Sequence, residues 1–188
     1  TLFQDDIKQE LGLTDGQLGL LTGMSFALFY TLAAFPIARL ADIGDRRKII
    51  AVCVMVWSAA TALSGLAASF WQMVLARVGL AAGEAGAGPA ANSLLTEIFP
   101  LERRTGVISI MLAANAVGIS GGLALGGWLS NFFSWREVFL ILGLPGILIG
   151  LAVLVLSAEP RRGKGAVAEP PKQVPLGEVL RIIGGNVS

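Results

Sequence analysis

The sequence predicts an all-α membrane protein, and three observations lead to this fold class. Of the 188 residues, 54% are hydrophobic and 14% are charged, whereas a soluble domain carries roughly 25% charged residues. Its apolar stretches reach the length of about 20 residues that a helix needs to cross a bilayer. Lysine and arginine gather at one side of these stretches, as basic loops prefer the cytoplasm.

The apolar sequence from residue 49 to residue 96 is interrupted only by Arg77 and Glu84. This stretch is too long for one crossing of about 20 residues and suits two. We place the break between them at "ASFWQ", residues 68–72. Residues 1–158 then form one transmembrane bundle, with spans near 16–40, 49–68, 71–95, 105–130 and 136–157.

Local signals support three of these helix starts. Thr14, Ser69 and Ser134 are each followed three residues later by Gln or Glu. In this capping box, the hydroxyl and the longer side chain satisfy backbone N–H groups at a helix N-terminus. Because all three boxes precede apolar stretches on the same predicted side, they indicate where the chain enters the membrane.

The orientation follows from the basic residues in the loops after the first, third and fifth spans. The opposite side carries only Lys8 and Arg136. Basic loops stay in the cytoplasm, so residues 1–15 are predicted outside and residues 159–188 inside. An aromatic belt at the outer interface is predicted for Trp71, Trp128 and Trp135.

The predicted cytoplasmic region has two parts. Residues 159–175 are rich in Pro, Gly and charge, which is typical of a linker. Two interpretations stay open for residues 176–183, a short helix on the membrane surface or an unstructured tail.

The composition excludes several classes of function. The chain has no histidine and one cysteine, Cys53. It therefore has no Ser–His triad, no His-ligated metal site and no intrachain disulfide. An intramembrane aspartyl protease needs paired Asp residues within the membrane, but Asp42 and Asp45 lie in a predicted loop. The net charge of +1 and the lack of a basic block argue against nucleic acid. We expect no metal, no cofactor and no enzyme activity.

Arg77 and Glu84 are seven residues apart, which is nearly two helical turns. They share a helix face and lie about 10 Å apart along the axis. A charge near the middle of a span usually faces a cavity or a partner, and the surrounding Gly and Ala let neighbouring helices approach closely. We therefore expect this face to point inward. The alternative is a static ion pair between helices.

The loop "ARLADIGDRRK", residues 38–48, resembles a loop of the major facilitator superfamily, written roughly G-x-L-A-D-R-x-G-R-R/K. It departs from that pattern at Ala38, Ile43 and Asp45. The resemblance implies a cytoplasmic gating latch, which holds one half of the transporter against the other. The matching latch residues are Asp42, Arg46 and Arg47. The alternative is an ordinary basic loop with an incidental Asp.

Further segments resemble bacterial Spinster-like transporters, the lysolipid and sphingolipid type. They are residues 11–31, "RVGLAAGEAG" at 77–86, and 127–139. This resemblance implies the N-terminal half of a transporter, with the five spans as helices two to six. The first helix would be largely missing, the C-terminal bundle absent, and the chain a fragment cut at both ends. It also ties Arg77 and Glu84 to substrate binding and proton coupling.

Small and polar residues mark two further features of the membrane spans. Close helix packing is predicted at Gly83 and along a stripe of glycines four residues apart, at Gly118, Gly122 and Gly126. Asn115 precedes this stripe by one turn in mid-span, and we expect it to line the cavity with the other candidate site residues. Weaker candidates are Tyr30, Thr22 and Ser25.

The predicted function is secondary active transport in a bacterial inner membrane, by symport or antiport. A small organic or amphipathic, lipid-like solute would move by alternating access around a midplane site, coupled to protons through Glu84. The expected partners are this solute, protons, the bilayer and the C-terminal half of the transporter. One alternative is a facilitative organic-anion carrier that uses Arg77 as counter-ion. Others are an intramembrane enzyme or a structural membrane protein.

Overall fold

The computed structural model describes residues 2–157, and of these it leaves out the side chains of residues 42 and 43. The predicted linker and tail, residues 159–188, lie outside the described residues. Within residues 2–157 every regular element is helical. The elements are α1 (Gln4–Glu10), α2 (Asp15–Gly19), a π-helical turn (Leu20–Met24), α3 (Ser25–Ile43), α4 (Arg46–Leu66), α5 (Phe70–Ile98), α6 (Leu101–Leu129) and α7 (Trp135–Leu156).

The helix starts follow the local signals in the sequence. Thr14 and Ser134 form complete capping boxes with Gln17 and Glu137, as predicted. At Ser69 the hydroxyl accepts from the Gln72 N–H, while the Gln72 side chain accepts from the N–H of Ala68 instead of Ser69. Each polar group thus replaces a hydrogen-bond partner that the first helical turn lacks.

A helix occupies the place of each of the five predicted spans. Four stretches are long and apolar enough to cross a membrane: Asp15–Ala41, Arg46–Leu66, Leu101–Leu129 and Trp135–Leu156. α5 has 29 residues and is about 43 Å long at 1.5 Å per residue. Its hydropathy is lower because Arg77 and Glu84 lie among glycines and alanines, so its crossing of the membrane stays a prediction.

α4 lies between α5 and α7, and glycines let α7 approach it at backbone distance. A Cβ at Gly143 would lie 2.5 Å from the Ala62 nitrogen, and one at Gly150 would lie 2.5 Å from Met55 Cγ. A Cβ at Gly146, which lies between these two glycines in the sequence, would likewise clash with the Ser58 side chain. Larger side chains at these positions would push the helices apart, which the sequence analysis did not anticipate for α7.

The glycines singled out from the sequence have different surroundings. A Cβ at Gly83 would lie 2.6 Å from the backbone nitrogen of Trp57, so α5 and α4 are in contact at this point. Gly118 and Gly122 on α6 have no described neighbour within 4 Å of such a Cβ, and Gly126 comes within 3.8 Å of Leu2. α6 therefore presents an open glycine face within residues 2–157, and packing along it stays a prediction.

A polar clasp joins α1 to the start of α7 at the predicted outer side. Glu10 accepts hydrogen bonds from Trp135 Nε1 at 2.5 Å and from Arg136 Nε at 2.8 Å. Arg136 also donates to the carbonyls of Gly65 and Ala67. The bonds from Arg136 and Trp135 favour the carboxylate and lower the pKa of Glu10. The clasp holds α1 against a buried apolar cluster of Ile7, Leu13, Leu21, Ala67, Met73 and Trp135.

Candidate functional site

A cavity of about 520 Å³ lies between α3, α4, α5 and α6. It brings together three polar side chains from three helices: Tyr30 of α3, Glu84 of α5 and Asn115 of α6. These residues are far apart in the sequence. All three are candidates from the sequence, and Tyr30 is one of the weaker ones. The rest of the wall is largely apolar and is made by Ile50, Val54, Trp57, Leu80, Ala87, Gly88, Ala91, Met111 and Leu112.

Glu84 is the charged member of this cavity wall. Its side chain is exposed to the cavity, and within residues 2–157 no hydrogen bond or ion pair engages its carboxylate. A carboxylate in this setting can bind a proton, or accept a hydrogen bond from a solute, without first breaking an internal bond. Tyr30 and Asn115 add a hydroxyl and an amide that can orient a polar group.

Arg77 takes a different position from the one expected. It lies two turns before Glu84 on α5 but does not line the cavity. Its Nε is buried and has no hydrogen-bond acceptor within the described part of the chain. No ion pair joins Arg77 to Glu84 there. The structure therefore does not bring these two residues into one site, and the role of Arg77 in substrate binding stays a prediction.

The two weaker hydroxyl candidates bond to their own helix. Thr22 Oγ1 donates to the carbonyl of Leu18 at 2.9 Å, and Ser25 Oγ donates to the carbonyl of Leu20. Leu20 begins the π-helical turn. Because a π-helix pairs groups five residues apart, Ser25 can reach the carbonyl of Leu20. Neither hydroxyl lines the cavity.

Arg46, the first residue of α4, is fully buried. It binds the end of α5 that is cytoplasmic in the predicted orientation. Its Nη2 lies 2.6 Å from Glu97 Oε2, and its Nη1 donates to the carbonyl and hydroxyl oxygens of Ser93 at 3.1 and 3.2 Å. Sequence reasoning missed both partners. The signal was a carboxylate, Glu97, at the end of a span on the same predicted side as the basic loop.

Arg47 connects α4 to the end of α7. Its Nη1 donates to the Ser157 carbonyl at 3.1 Å, and its Nη2 lies 3.8 Å from Asp45 Oδ2. Asp45, which replaces a glycine of the family pattern, also caps α4 by accepting from the Lys48 N–H. The Asp42 side chain lies outside the described residues. Arg46 and Arg47 thus join helices of this bundle, and a latch to another part of the protein stays a prediction.

Comparison with known proteins shows which family and which relatives this chain is similar to. The profile of the Major Facilitator Superfamily matches residues 1–187. An "MFS-type efflux pump" of Mycolicibacterium smegmatis is 31% identical over 156 residues, which are 83% of this chain and 36% of the pump. A "Probable L-galactonate transporter" of Escherichia coli is 28% identical over 150 residues, which are 80% of this chain and 33% of that relative. The printed names of both relatives describe transporters.

Solved structures of a bacterial homologue of the human lysosomal transporter Spinster share this fold. The inward-facing, unoccupied form superposes with a TM-score of 0.77 at 38% identity, over 98% of this chain and 44% of the homologue. The inward-facing, occupied form gives 0.70 at 40% identity, over 86% and 40%. The chain thus spans about a third of the curated relatives and less than half of the structural neighbour.

Proposed function

Because this chain belongs to the major facilitator superfamily, we propose that it forms the N-terminal half of a secondary active transporter. Residues 16–157 would supply helices two to six of that half. The transporter would move a small organic or amphipathic solute by alternating access, with the cavity between α3 and α6 as this half's contribution to the midplane site. Glu84 would couple the movement to protons.

One observation carries this proposal: the Glu84 carboxylate, which no hydrogen bond or ion pair engages within residues 2–157, faces a cavity that Tyr30 and Asn115 also line. An ionisable group at membrane depth is costly unless it faces water or a partner. A transporter can use it, because binding a proton changes the charge that the cavity presents to a solute.

The substrate class rests on the chemistry of the cavity and on the relatives. The cavity wall is mostly apolar with three polar groups, which is the usual make-up of a site for small organic molecules. The printed names of the relatives describe an efflux pump and a sugar-acid transporter, so they set no single substrate. We propose that the solute has an apolar body and one polar group. We also propose that the transporter lies in a bacterial inner membrane.

One observation favours the alternative, an organic-anion carrier without proton coupling. The buried Arg77 Nε has no acceptor within residues 2–157, and a bound carboxylate or phosphate would supply one. The placement of Arg77 outside the cavity wall weighs against it. Whether protons move together with the solute therefore distinguishes the proton-coupled transporter from the organic-anion carrier.

Solute-driven proton movement tests the proposal. We expect the full-length protein, reconstituted in liposomes that contain a pH-sensitive dye, to change the internal pH when one class of solute is added outside. Sugar acids, amphipathic cations and lysolipids form the panel, and protein-free liposomes are the control. Transport of radiolabelled solute without any pH change would favour the anion carrier, and absence of all transport across the panel would contradict the proposed function.

A further inference from the structure

An apolar groove runs along the outside of α4, away from the cavity of Glu84. It holds about 340 Å³ and is walled by Ile37 and Leu40 of α3 and by Val52 and Val56 of α4. Its floor is the α5 backbone at Gly83, where α4 and α5 are in contact. The wall exposes no polar surface, so water is a poor occupant.

The aliphatic stem of Lys48 lines one end of this groove, which we call the Lys48 groove, and its ammonium lies beyond the wall. Its side chain is 55% exposed, and its ammonium is 3.9 Å from Asp45 Oδ2, a loose contact. Asp45 also lies near Arg47. An anion at the mouth of the groove would therefore find Lys48 accessible and only weakly paired.

The length of the groove matches one leaflet of a membrane. Lys48 and Val56 are eight residues apart on α4, which is about 12 Å along the axis. The hydrocarbon of one leaflet is about 15 Å thick, half of the roughly 30 Å core. A molecule with its charged group at Lys48 and an apolar chain toward Val56 would span the cytoplasmic leaflet.

We propose that the Lys48 groove binds an anionic phospholipid of the cytoplasmic leaflet, with the phosphate at Lys48 and an acyl chain along Val52 and Val56. This inference rests on the orientation predicted from the sequence, in which the basic loop before α4 faces the cytoplasm. Basic side chains at that surface attract anionic lipids, and the apolar wall of the groove suits an acyl chain.

A second hollow gives the acyl chain room to continue. It holds about 510 Å³, begins at Val56 and follows Ala60 and Leu63 toward the far end of α4. Gly79 and Ala76 of α5 form its other wall. Val56 lines both hollows, so the end of an acyl chain that passes Val56 would meet the largely apolar wall of the second hollow.

Lipid binding to detergent-purified full-length protein tests this inference without requiring transport. The probe is phosphatidylglycerol, with phosphatidylcholine for comparison, and binding is measured by native mass spectrometry. We expect Lys48→Gln to weaken phosphatidylglycerol binding about fivefold. The matched control Arg103→Gln, an exposed basic residue at the start of α6, should change it little. Equal loss in both variants, or equal binding of the two lipids by the wild type, would overturn the proposal.

Photocrosslinking locates the bound lipid and does not depend on a variant's folding. Phosphatidylglycerol with a diazirine in one acyl chain should label the α4 segment 49–56 of the wild-type protein. Val52→Phe, which narrows the groove, should reduce that label. Labelling confined to other segments would overturn the proposal, as it would if another part of the protein or a second copy filled the groove.

Discussion

Replacement of Glu84 by Gln should abolish solute uptake driven by a pH gradient while leaving solute binding measurable. Gln keeps the size and hydrogen-bonding capacity of the protonated acid but cannot release a proton. Within the described chain, Glu84 is the charged residue of the cavity wall and has no internal partner. The loss should therefore fall on coupling and leave folding intact.

The measurement compares wild type and Glu84→Gln in liposomes with and without an imposed proton gradient. Glu102→Gln serves as the matched control, since Glu102 is an exposed acid in the first turn of α6. We expect the control to accumulate solute like the wild type. Equal gradient-driven accumulation by Glu84→Gln would remove this residue from the mechanism and leave it a structural role.

Replacement of Arg46 by Ala should strongly destabilise the protein. The change leaves Glu97 with only 12% of its side chain exposed and without its 2.6 Å partner. Removing one member of a buried ion pair typically costs about 3–5 kcal/mol, because the other charge stays buried. The hydrogen bonds to Ser93 at the α4–α5 contact are lost as well. We expect a lower unfolding temperature and poor yield.

A double substitution separates the ion pair from general damage. Arg46→Met with Glu97→Leu removes both charges of the pair and should recover much of the lost stability, because neither charge stays buried without the other. Arg103→Ala, an exposed arginine on the same predicted side, is the control and should be near neutral. A double variant as unstable as Arg46→Ala would show that the pair does not explain the effect.

Local sequence signals predicted the helices well because they act over a few residues. Thr14 and Ser134 reach only three residues ahead to complete their caps. The family resemblance read from residues 38–48 is likewise confirmed by the match over residues 1–187. A motif is a set of residues in a fixed order along the chain, so it can be recognised without knowing how the helices pack.

Contacts between helices were harder to predict, since they depend on how each helix is rotated. Glu84 of α5 and Asn115 of α6 line one cavity, whereas Arg77, which is also on α5, lies outside it. The role of this cavity in transport stays a prediction. Glu97 is 51 residues after Arg46, and nothing local pairs them. The approach of Gly143 to Ala62 depends on the packing of α7 against α4, which no sequence period reveals.

In the proposed transport cycle, the cavity of Glu84 and Asn115 opens alternately to the two sides of the membrane. Cysteine accessibility in the full-length protein tests it, in a Cys53→Ser background with an impermeant thiol reagent added to one side at a time. Exposed positions at the two ends of α6, Asn131→Cys and Glu102→Cys, serve as controls and should react only from outside and only from inside. We predict that Asn115→Cys reacts from both sides. Reaction from a single side, or from neither, would contradict the account.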